Sequence, residues 1–543
     1  MADLDSAAQQ PLLAESQSAQ QTHDAPPYGT TTRITRPDSD RDIGRPQPTL
    51  GAIEAFGILI SIVIGSGIFT SPGSIDTNVP SPGASLVVWL VGGLLAWTGA
   101  STVAELGTAI PGEGGVQPYL QYIYGDVFGF LAAWTWTVAV MPATLAILSI
   151  VFVDSIFSAL NAAPAVFTLT ADSMWLMRKS LSVAILMLVS LANCISTKAS
   201  TRLNNFFVVA KFASIAFVVL AGLAVVVVQV AHGTEPIEAG GHDWSQKPWF
   251  AARISVNPDG SETDWTRLSQ WELLGHYSAA LYGVLWAYSG WDKAVYVSAE
   301  LRDPVRQLPL AINTAIPTII FAFIAAIASY YVLLPWNEVS TTDSVAVTAI
   351  ARLFGPGIGL VASVMICLVV AGSLLGNSFV AGRMAMSAAH KGWFPHCFGT
   401  VGRLSLPSSG TSTPQANSGH DRSNRENTGD APINAIGLAT LLAAFYIVFG
   451  NFRALITFNG LGEFTFFFLT VVGAVILRFR EPSLNRPYKL PIAVPVIFSL
   501  VSGFVVARGA IFAPAQAAML LVLWALGVAY YLVCQWRAAS VHF

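Results

Sequence analysis

Charged residues are scarce in this sequence. Asp, Glu, Lys and Arg make up 11% of the 543 residues, whereas hydrophobic residues make up 54%. A water-soluble domain typically carries about 25% charged residues, and so few charges cannot cover the surface of a soluble protein of this size. The sequence therefore predicts that most of the outer surface faces membrane lipid.

Several motifs of other protein classes are missing as well. The cysteines form no C-x-x-C pair, so their spacing predicts neither a disulfide framework nor a zinc site; they are Cys194, Cys367, Cys397 and Cys534. The chain has no G-x-x-x-x-G-K-[ST] phosphate loop, and its eight histidines are dispersed. A formal net charge of −3, with basic residues scattered over short loops, argues against a nucleic-acid interface. We expect no cofactor, no enzymatic activity and no nucleic-acid partner.

The first fifty residues lack the short apolar core and cleavage site of a signal peptide. They are rich in Gln, Ala, Pro, Thr and Asp, a composition typical of disorder. We expect residues 1–50 to form a disordered cytoplasmic tail. Within it, Leu12 and Leu13 resemble half of a dileucine sorting signal.

What the sequence does contain is a series of long apolar segments. A helix needs about 20 apolar residues to cross a hydrocarbon core of about 30 Å, because every backbone polar group must be bonded within the span. About twelve segments qualify: 51–76, 84–110, 127–160, 180–197, 205–231, 272–299, 308–335, 346–389, 432–450, 453–478, 491–508 and 514–536. The predicted fold class is an all-α membrane protein with a twelve-helix domain over 51–536 and a short C-terminal tail over 537–543.

The distribution of basic residues predicts the orientation. Most of the 28 lysines and arginines lie in the N-terminal tail and in every second connection, and such loops usually face the cytoplasm. Both termini are therefore predicted to be cytoplasmic. The long connection 232–270 would then lie outside, and the Ser-, Thr- and Asn-rich connection 396–431 would be a flexible cytoplasmic loop.

Span 1 contains Gly65, Ser66 and Gly67 near its middle. Glycine costs about 1 kcal/mol per helix position relative to alanine, so two glycines around a serine mark a place where the helix can open. Freed N–H groups over Ile64–Gly67, together with the positive end of the following half-helix, would form a carboxylate site. The alternative interpretation is a packing face of small residues.

Span 6 is interrupted at the corresponding point, five spans later. The stretch from Trp286 through Ala287 and Ser289 to Asp292 breaks an apolar helix, as expected of two five-helix inverted repeats. Carbonyl groups of Trp286, Ala287 and Ser289 would bind an ammonium group while the span 1 amides bind a carboxylate. The predicted substrate is therefore a zwitterion. The Trp286 side chain is either a lid over the site or ordinary packing.

Further stretches accompany Gly65-Ser66-Gly67-Ile68-Phe69 and Ala287-Tyr288-Ser289-Gly290-Trp291 in a characteristic order. They are Ala104-Glu105-Leu106-Gly107-Thr108-Ala109-Ile110-Pro111 with Gly114-Gly115, Glu300 with Pro304 and Arg306, Leu308-Pro309-Leu310-Ala311-Ile312, and Arg480-Glu481-Pro482 with Arg486-Pro487. In these stretches, which extend from about residue 51 to about 500, the chain resembles the amino acid, polyamine and organocation (APC) transporters. It is most similar to their L-type amino acid transporter (LAT) branch, as found in fungi.

The resemblance implies a leucine-transporter-like fold with 5+5 inverted repeats and broken helices 1 and 6. It also implies a secondary carrier that works by alternating access around a site at the membrane midplane, without ATP. Animal L-type carriers pair with a glycoprotein through a cysteine in the loop after span 3, and residues 161–179 contain none. We expect no disulfide-linked heavy chain.

The resemblance also assigns a role to Lys211 in span 5. An ionisable residue at mid-membrane costs at least about 2.5 to 3.5 kcal/mol, so it needs a compensating role. Lys211 aligns with a lysine that stands where sodium-coupled relatives hold a sodium ion, so we expect transport without sodium. The alternative is that Lys211 snorkels to the cytoplasmic interface near Asn204 and Asn205.

Three acidic residues are further candidates. Glu463 in span 10 stands where L-type relatives often place a polar residue facing the substrate, and its carboxylate could carry a proton or select the side chain. Asp292 could pair with Lys293 or with a substrate cation, or it could be solvated at a span end. Glu300 could stabilise a gate on the inner side or form an ordinary loop ion pair.

Together these features predict a sodium-independent secondary transporter of L-amino acids, working by proton-coupled uptake or by exchange. Neutral substrates such as leucine or methionine are favoured, although Glu463 and Asp292 leave cationic substrates open. The alternative function is an amino acid sensor that binds without transporting. The plasma membrane is the predicted location, and the vacuolar or lysosomal membrane is the alternative because of Leu12 and Leu13.

Overall fold

The structure, a computed structural model, describes most of the chain. The described residues are 51–110, 115–161, 171–195, 197–232, 240–257, 260–293, 295, 301–342, 344–402 and 431–540. The predicted disordered tail over 1–50 lies outside them, as do most of the predicted flexible loop, residues 403–430, and the gate candidate Glu300. Those expectations stay predictions.

Helices account for nearly all of the described chain, and they confirm about twelve spans. Nine helices in the described part are long and apolar enough to cross a membrane, and the two broken spans and one shorter helix complete the set. The spans are Ala52–Val63 with Gly67–Asp76 (spans 1a and 1b), Pro82–Ala109 (2), Asp126–Thr135 with Met141–Asn161 (3), Ala171–Ile195 (4), Thr197–His232 (5), Gln270–Ala287 (6a), Pro304–Leu333 (7), Pro356–His390 (8), Ile433–Phe449 (9), Phe452–Arg480 (10), Ala493–Phe512 (11) and Pro514–Ser540 (12).

Capping residues determine where several spans begin. The Ser81 side chain accepts a hydrogen bond from the third residue of span 2, Ser269 and Glu272 form a capping box at span 6a, and Asn451 caps span 10. Such side chains satisfy N–H groups that lack an intrahelical partner. The sequence thus stops and restarts its helices at the connections between apolar segments.

The packing contacts between spans occur twice. Each contact in one set becomes a contact in the other when every one of spans 1–5 is exchanged with the span five positions later. Span 1 packs on span 7 and span 6 on span 2; span 5 packs on span 8 and span 10 on span 3; span 4 packs on span 8 and span 9 on span 3. Because five is an odd number, equivalent spans cross the membrane in opposite directions. This packing confirms the predicted inverted repeats and the leucine-transporter-like fold.

The segment predicted as one long span, 346–389, is in fact two helices. Val345–Phe354 is a separate short helix, and span 8 begins at Pro356 after Gly355, whose φ is 88°. Proline cannot continue a helix and glycine readily adopts a positive φ. The apolar run continues through this turn, which is why hydropathy alone did not separate the two helices.

The connection between spans 5 and 6 contains the only strands in the described part of the chain. Strand β1 (Ile254–Val256) pairs antiparallel with strand β2 (Glu262–Asp264), after a short helix, Asp243–Gln246. We call the side of the membrane domain where this hairpin lies the hairpin end, and the opposite side the tail end. Arg253 beside β1 forms an ion pair with Asp76 at the end of span 1b.

The tail end is held together by ion pairs and hydrogen bonds. Glu105 of span 2 pairs with Arg478 of span 10 at 2.6 Å. The hydroxyl of Tyr122, on the helix Gln117–Tyr124, donates to Glu481 at 2.5 Å. This hydrogen bond holds the pKa of the Glu481 carboxyl below its usual value. The short helix was not predicted from the sequence, because eight residues are too few to show a clear period.

The outer surface carries large apolar side chains. Phe321 of span 7 is 78% exposed, and Leu441 of span 9 and Leu500 of span 11 are each 70% exposed. They are three of many large apolar side chains that are exposed on the spans, and extensive exposed apolar surface is typical of contact with lipid or with another apolar partner. The chain is a multi-pass membrane protein, as its composition predicted.

Candidate functional site

The break in span 1 occupies three residues. Span 1a ends at Val63 and span 1b begins at Gly67, and the connecting residues include Ile64 and Ser66, which are buried. The Ser66 side chain does not cap span 1b. Because the first N–H groups of a helix have no intrahelical partner, the start of span 1b is an electropositive end suited to a carboxylate.

The break in span 6 is longer. Span 6a ends at Ala287, and Gly290 follows with a φ of 104°. The N–H of Ser289 donates to the carbonyl of Trp286 at 3.0 Å, which leaves that carbonyl one further lone pair. The negative end of span 6a therefore points into the same region as the positive end of span 1b.

Two close contacts join the breaks. A Cβ atom on Gly67 would lie 2.5 Å from Cα of Ala287, and one on Gly290 would lie 2.8 Å from Cγ2 of Ile62. By contrast, a Cβ on Gly65 would meet Oγ of Ser373 at an ordinary 3.5 Å. The sequence marked Gly65 and Gly67 as equivalent, but only Gly67 has its helix packed directly against the other break.

A cavity of about 40 Å³ lies between the breaks. It is lined by Ile62, Val63, Gly65, Ser66, Gly67, Thr144, Leu148, Trp286, Ala287, Ser289, Lys293, Ser373 and Asn377. Both broken spans and spans 3 and 8 thus contribute, so the predicted residues of spans 1 and 6 do come together at one place. Ile64 connects Val63 and Gly65 without lining the cavity itself.

The lining also includes side chains that sequence reasoning missed. Thr144 and Leu148 come from span 3, and Ser373 and Asn377 come from span 8. Each pair is four residues apart, which places both members on one helix face. Polar residues at this spacing in an apolar helix are a detectable signal, although small polar residues are common in membrane helices for packing reasons.

Lys211 is completely buried beside the span 1 break. Its side chain has no solvent exposure, and Nζ donates to Oγ of Ser373 at 2.9 Å. The Ser373 hydroxyl lies 3.5 Å from the carbonyl oxygen of Ile64. Lys211 therefore points into the protein between spans 1, 5 and 8 and does not snorkel to the interface.

On the other side of the cavity, Asp292, Lys293 and Glu463 form what we call the span 6 charge cluster. Their exposed fractions are 1%, 3% and 2%. The Ser289 hydroxyl lies 3.0 and 3.2 Å from the two carboxylate oxygens of Glu463, and Lys293 Nζ donates to Oδ1 of Asn377 at 2.9 Å. Asp292 is thus buried rather than solvated at a span end.

Span 10 presents a second polar residue one turn before Glu463. Oδ1 of Asn459 accepts a hydrogen bond from the Thr144 hydroxyl at 3.3 Å, and Nδ2 of Asn459 has no hydrogen-bond partner among the described residues. Asn459 and Glu463 lie on the same helix face. They form a polar wall behind Thr144 and Ser289.

A larger cavity elsewhere does not suit a zwitterion. It measures about 280 Å³ and lies between spans 1b, 5 and 8 and the helix Val345–Phe354. Its lining is almost entirely apolar and includes Phe69, Phe217, Ile350 and Met365. Burying the carboxylate and ammonium groups of an amino acid there, without partners, would cost several kcal/mol. The polar cavity between the breaks is the candidate substrate site.

Comparison with known proteins agrees with this geometry. Residues 50–533 match the family profile described as amino acid permease. The chain belongs to this family. The match covers both breaks and every residue that lines the polar cavity, and it places the chain within the APC superfamily.

Relatives in the L-type branch confirm the predicted resemblance. The chain is 29% identical to the human b(0,+)-type amino acid transporter 1 over 486 residues, which cover 89% of this chain and 87% of that protein. It is 27% identical to the rat large neutral amino acids transporter small subunit 2 over 455 residues, covering 84% and 74%. The human counterpart of the latter is 26% identical over 489 residues, covering 90% and 81%.

Proposed function

We propose that this permease is a secondary transporter of L-amino acids that works by alternating access around the polar cavity. The observation that carries the proposal is the meeting of the two breaks, where the positive end of span 1b and the negative end of span 6a converge and Gly67 lies against Ala287. Two opposite helix ends facing one cavity suit the carboxylate and ammonium groups of one zwitterion.

The cavity lining favours a neutral side chain. Ile62, Leu148 and Trp286 supply apolar surface beside the breaks, and such surface suits side chains like those of leucine and methionine. The names of two of the relatives refer to large neutral amino acids. The buried carboxylate of Glu463 keeps cationic amino acids as the second substrate class.

Transport is proposed to be independent of sodium. The Lys211 ammonium group lies behind the span 1 break, where it contacts Ser373. A sodium ion bound at the same place would experience like-charge repulsion in a region of low dielectric constant, where such repulsion is strong. The lysine therefore supplies the positive charge that a sodium ion would supply.

We further propose that the carrier lies in the plasma membrane with both termini in the cytoplasm, and that it needs no disulfide-linked partner. Under this orientation the tail end is cytoplasmic and the hairpin end is outside, in agreement with the distribution of basic residues. The vacuolar or lysosomal membrane remains the alternative location.

The test is uptake of labelled amino acids into liposomes that contain the purified protein. Sodium, the pH gradient and internal amino acid are varied separately. Saturable uptake of neutral L-amino acids without sodium is the expected result. Binding of amino acids without any flux, under all of these conditions, would refute transport and identify a sensor.

A further inference from the structure

We propose that the span 6 charge cluster binds the proton that crosses the membrane with each amino acid, and that Glu463 carries this proton. The inference rests on the proposed function, because it names the site of coupling within the same transport cycle. It selects proton-coupled uptake over exchange alone.

The charges of the cluster do not balance. Asp292 and Glu463 are two carboxylates, whereas Lys293 supplies a single ammonium group, and all three side chains are at least nine-tenths buried. Taking an unbalanced charge out of water costs several kcal/mol. One bound proton makes the cluster neutral, so its charge favours the binding of one proton.

The hydrogen bonds of the cluster are also incomplete. Ser289 lies within 3.2 Å of both Glu463 oxygens, but a hydroxyl donates only one hydrogen. The Asp292 carboxylate receives no hydrogen bond from another residue in the described part of the chain. A proton on Glu463 supplies the second donor of the contact between Ser289 and Glu463. The Ser289 hydroxyl oxygen can accept the resulting hydrogen bond.

The charged groups that act on the Glu463 carboxylate are Asp292 and Lys293. Lys211 lies on the span 1 side of the cavity, where it contacts Ser373. The other charged side chains and histidines on the helices around span 10 contact groups outside the cluster. These pairs are Asp126 with Gln121, Asp154 with Arg178, Glu105 with Arg478, Glu272 with Ser269, His276 with Asn78 and Arg508 with Trp271. Arg537 lies in the last turn of span 12. The proton site is thus confined to the cluster.

The cluster is placed to sense the substrate. Ser289, Asp292 and Lys293 belong to the turn that follows span 6a, and the turn contains Gly290, which packs on Ile62 of span 1a. Protonating Glu463 changes the contact between span 10 and this turn. The same turn supplies carbonyl groups for the substrate ammonium, so proton and amino acid bind to one movable element.

Steady-state accumulation of a neutral amino acid in proteoliposomes tests the site. The full-length protein is used, with the membrane potential clamped by equal potassium and valinomycin. One proton per amino acid gives about tenfold accumulation for each pH unit of inward gradient. We expect this value for the wild type and for the control Glu262→Gln, which changes an exposed carboxylate in the hairpin. Liposomes that contain Glu463→Gln should hold the amino acid at no more than its outside concentration. Accumulation at the wild-type level in this variant would overturn the proposal.

Because the accumulation ratio does not depend on rate, a slow variant still gives an answer. For a variant without measurable flux, calorimetry in buffers of different ionisation enthalpy counts the protons bound per amino acid. We expect about one for the wild type and about none for Glu463→Gln or Asp292→Asn. A wild-type count of zero, with amino acid exchange intact, would overturn the proton site and leave the proposed function standing. Absence of both flux and exchange in the wild type would instead refute the proposed function.

Discussion

The break in span 1 is uncharged and short, whereas the break in span 6 is longer and carries charged side chains. At the first, Gly67 allows close approach and the neighbouring charge, Lys211, reaches in from span 5. At the second, Asp292 and Lys293 are part of the turn itself. The first break is therefore sensitive to added volume and the second to altered charge, although both face one cavity.

The largest effect is expected from Gly67→Ala. The new Cβ would lie 2.5 Å from Cα of Ala287, and overpacking of this kind costs roughly 1 to 3 kcal/mol. Initial uptake rates should fall by about fivefold to 140-fold, since each 1.4 kcal/mol is worth a factor of about ten. Gly65→Ala, whose Cβ meets Ser373 at 3.5 Å, should lose clearly less.

Gly57→Ala is the matched control in the same span, because a Cβ there has nothing within 4 Å. It should transport like the wild type. Thermal unfolding of all three purified variants separates a folding defect from a transport defect. Equal losses for Gly65→Ala and Gly67→Ala would contradict the inference that close approach of the two breaks distinguishes these glycines.

Lys211→Met should have the next largest effect. Methionine is of similar length but cannot donate to Ser373, and a buried hydrogen bond to a charged group contributes about 1.5 to 3 kcal/mol. We expect sodium-free uptake to fall about tenfold, measured at several pH values. The control is Lys247→Met, because Lys247 is an exposed residue of the connection after span 5. Undiminished uptake by Lys211→Met at every pH would exclude the ion-surrogate role.

Two span 8 variants distinguish the breaks with moderate effects. Ser373→Ala removes the contact of Lys211, and Asn377→Ala removes the contact of Lys293. Both should raise the substrate KM by about threefold to tenfold, since one hydrogen bond is lost in each case. Only Asn377→Ala should also displace the pH profile of uptake, because Asn377 adjoins the charge cluster. Identical pH profiles in the two variants would argue against this division.

The smallest effect is expected far from both breaks. Tyr122→Phe removes the hydrogen bond that lowers the pKa of Glu481, and an exposed contact of this kind contributes roughly 1 kcal/mol or less. A depressed carboxyl pKa stabilises the fold above the unfolded pKa and stops doing so as the pH falls through the folded pKa. Thermal unfolding at neutral pH should therefore be slightly easier in the variant, and the difference should vanish in acid.

Much of the fold was predictable because membrane helices follow local rules. Apolar length identified the spans, and paired interruptions in spans 1 and 6 indicated the inverted repeats. The turn at Gly355 and Pro356 was missed because the sequence stays apolar on both sides of it. The ends of several spans also differ from prediction; span 4, for example, begins at Ala171 rather than near 180.

The candidate site was only half predictable. Residues of spans 1 and 6 were identified because a helix break leaves glycine and polar residues in an apolar run. Ser373, Asn377 and Thr144 were not, since small polar residues are common in membrane helices and do not by themselves reveal what they face. For Lys211, the sequence left open both a buried position and a position at the interface, and only the packing of spans 1, 5 and 8 distinguishes them.

The sequence by itself determined that this chain crosses the membrane about twelve times and that spans 1 and 6 are opened near their middle. Those features follow from hydropathy and backbone chemistry, which act over short stretches of chain. Tertiary structure alone decided that Gly67 meets Ala287, that Lys211 contacts Ser373, and that Ser289 contacts Glu463. These contacts link residues more than 150 positions apart, and only the packing of whole spans brings them together.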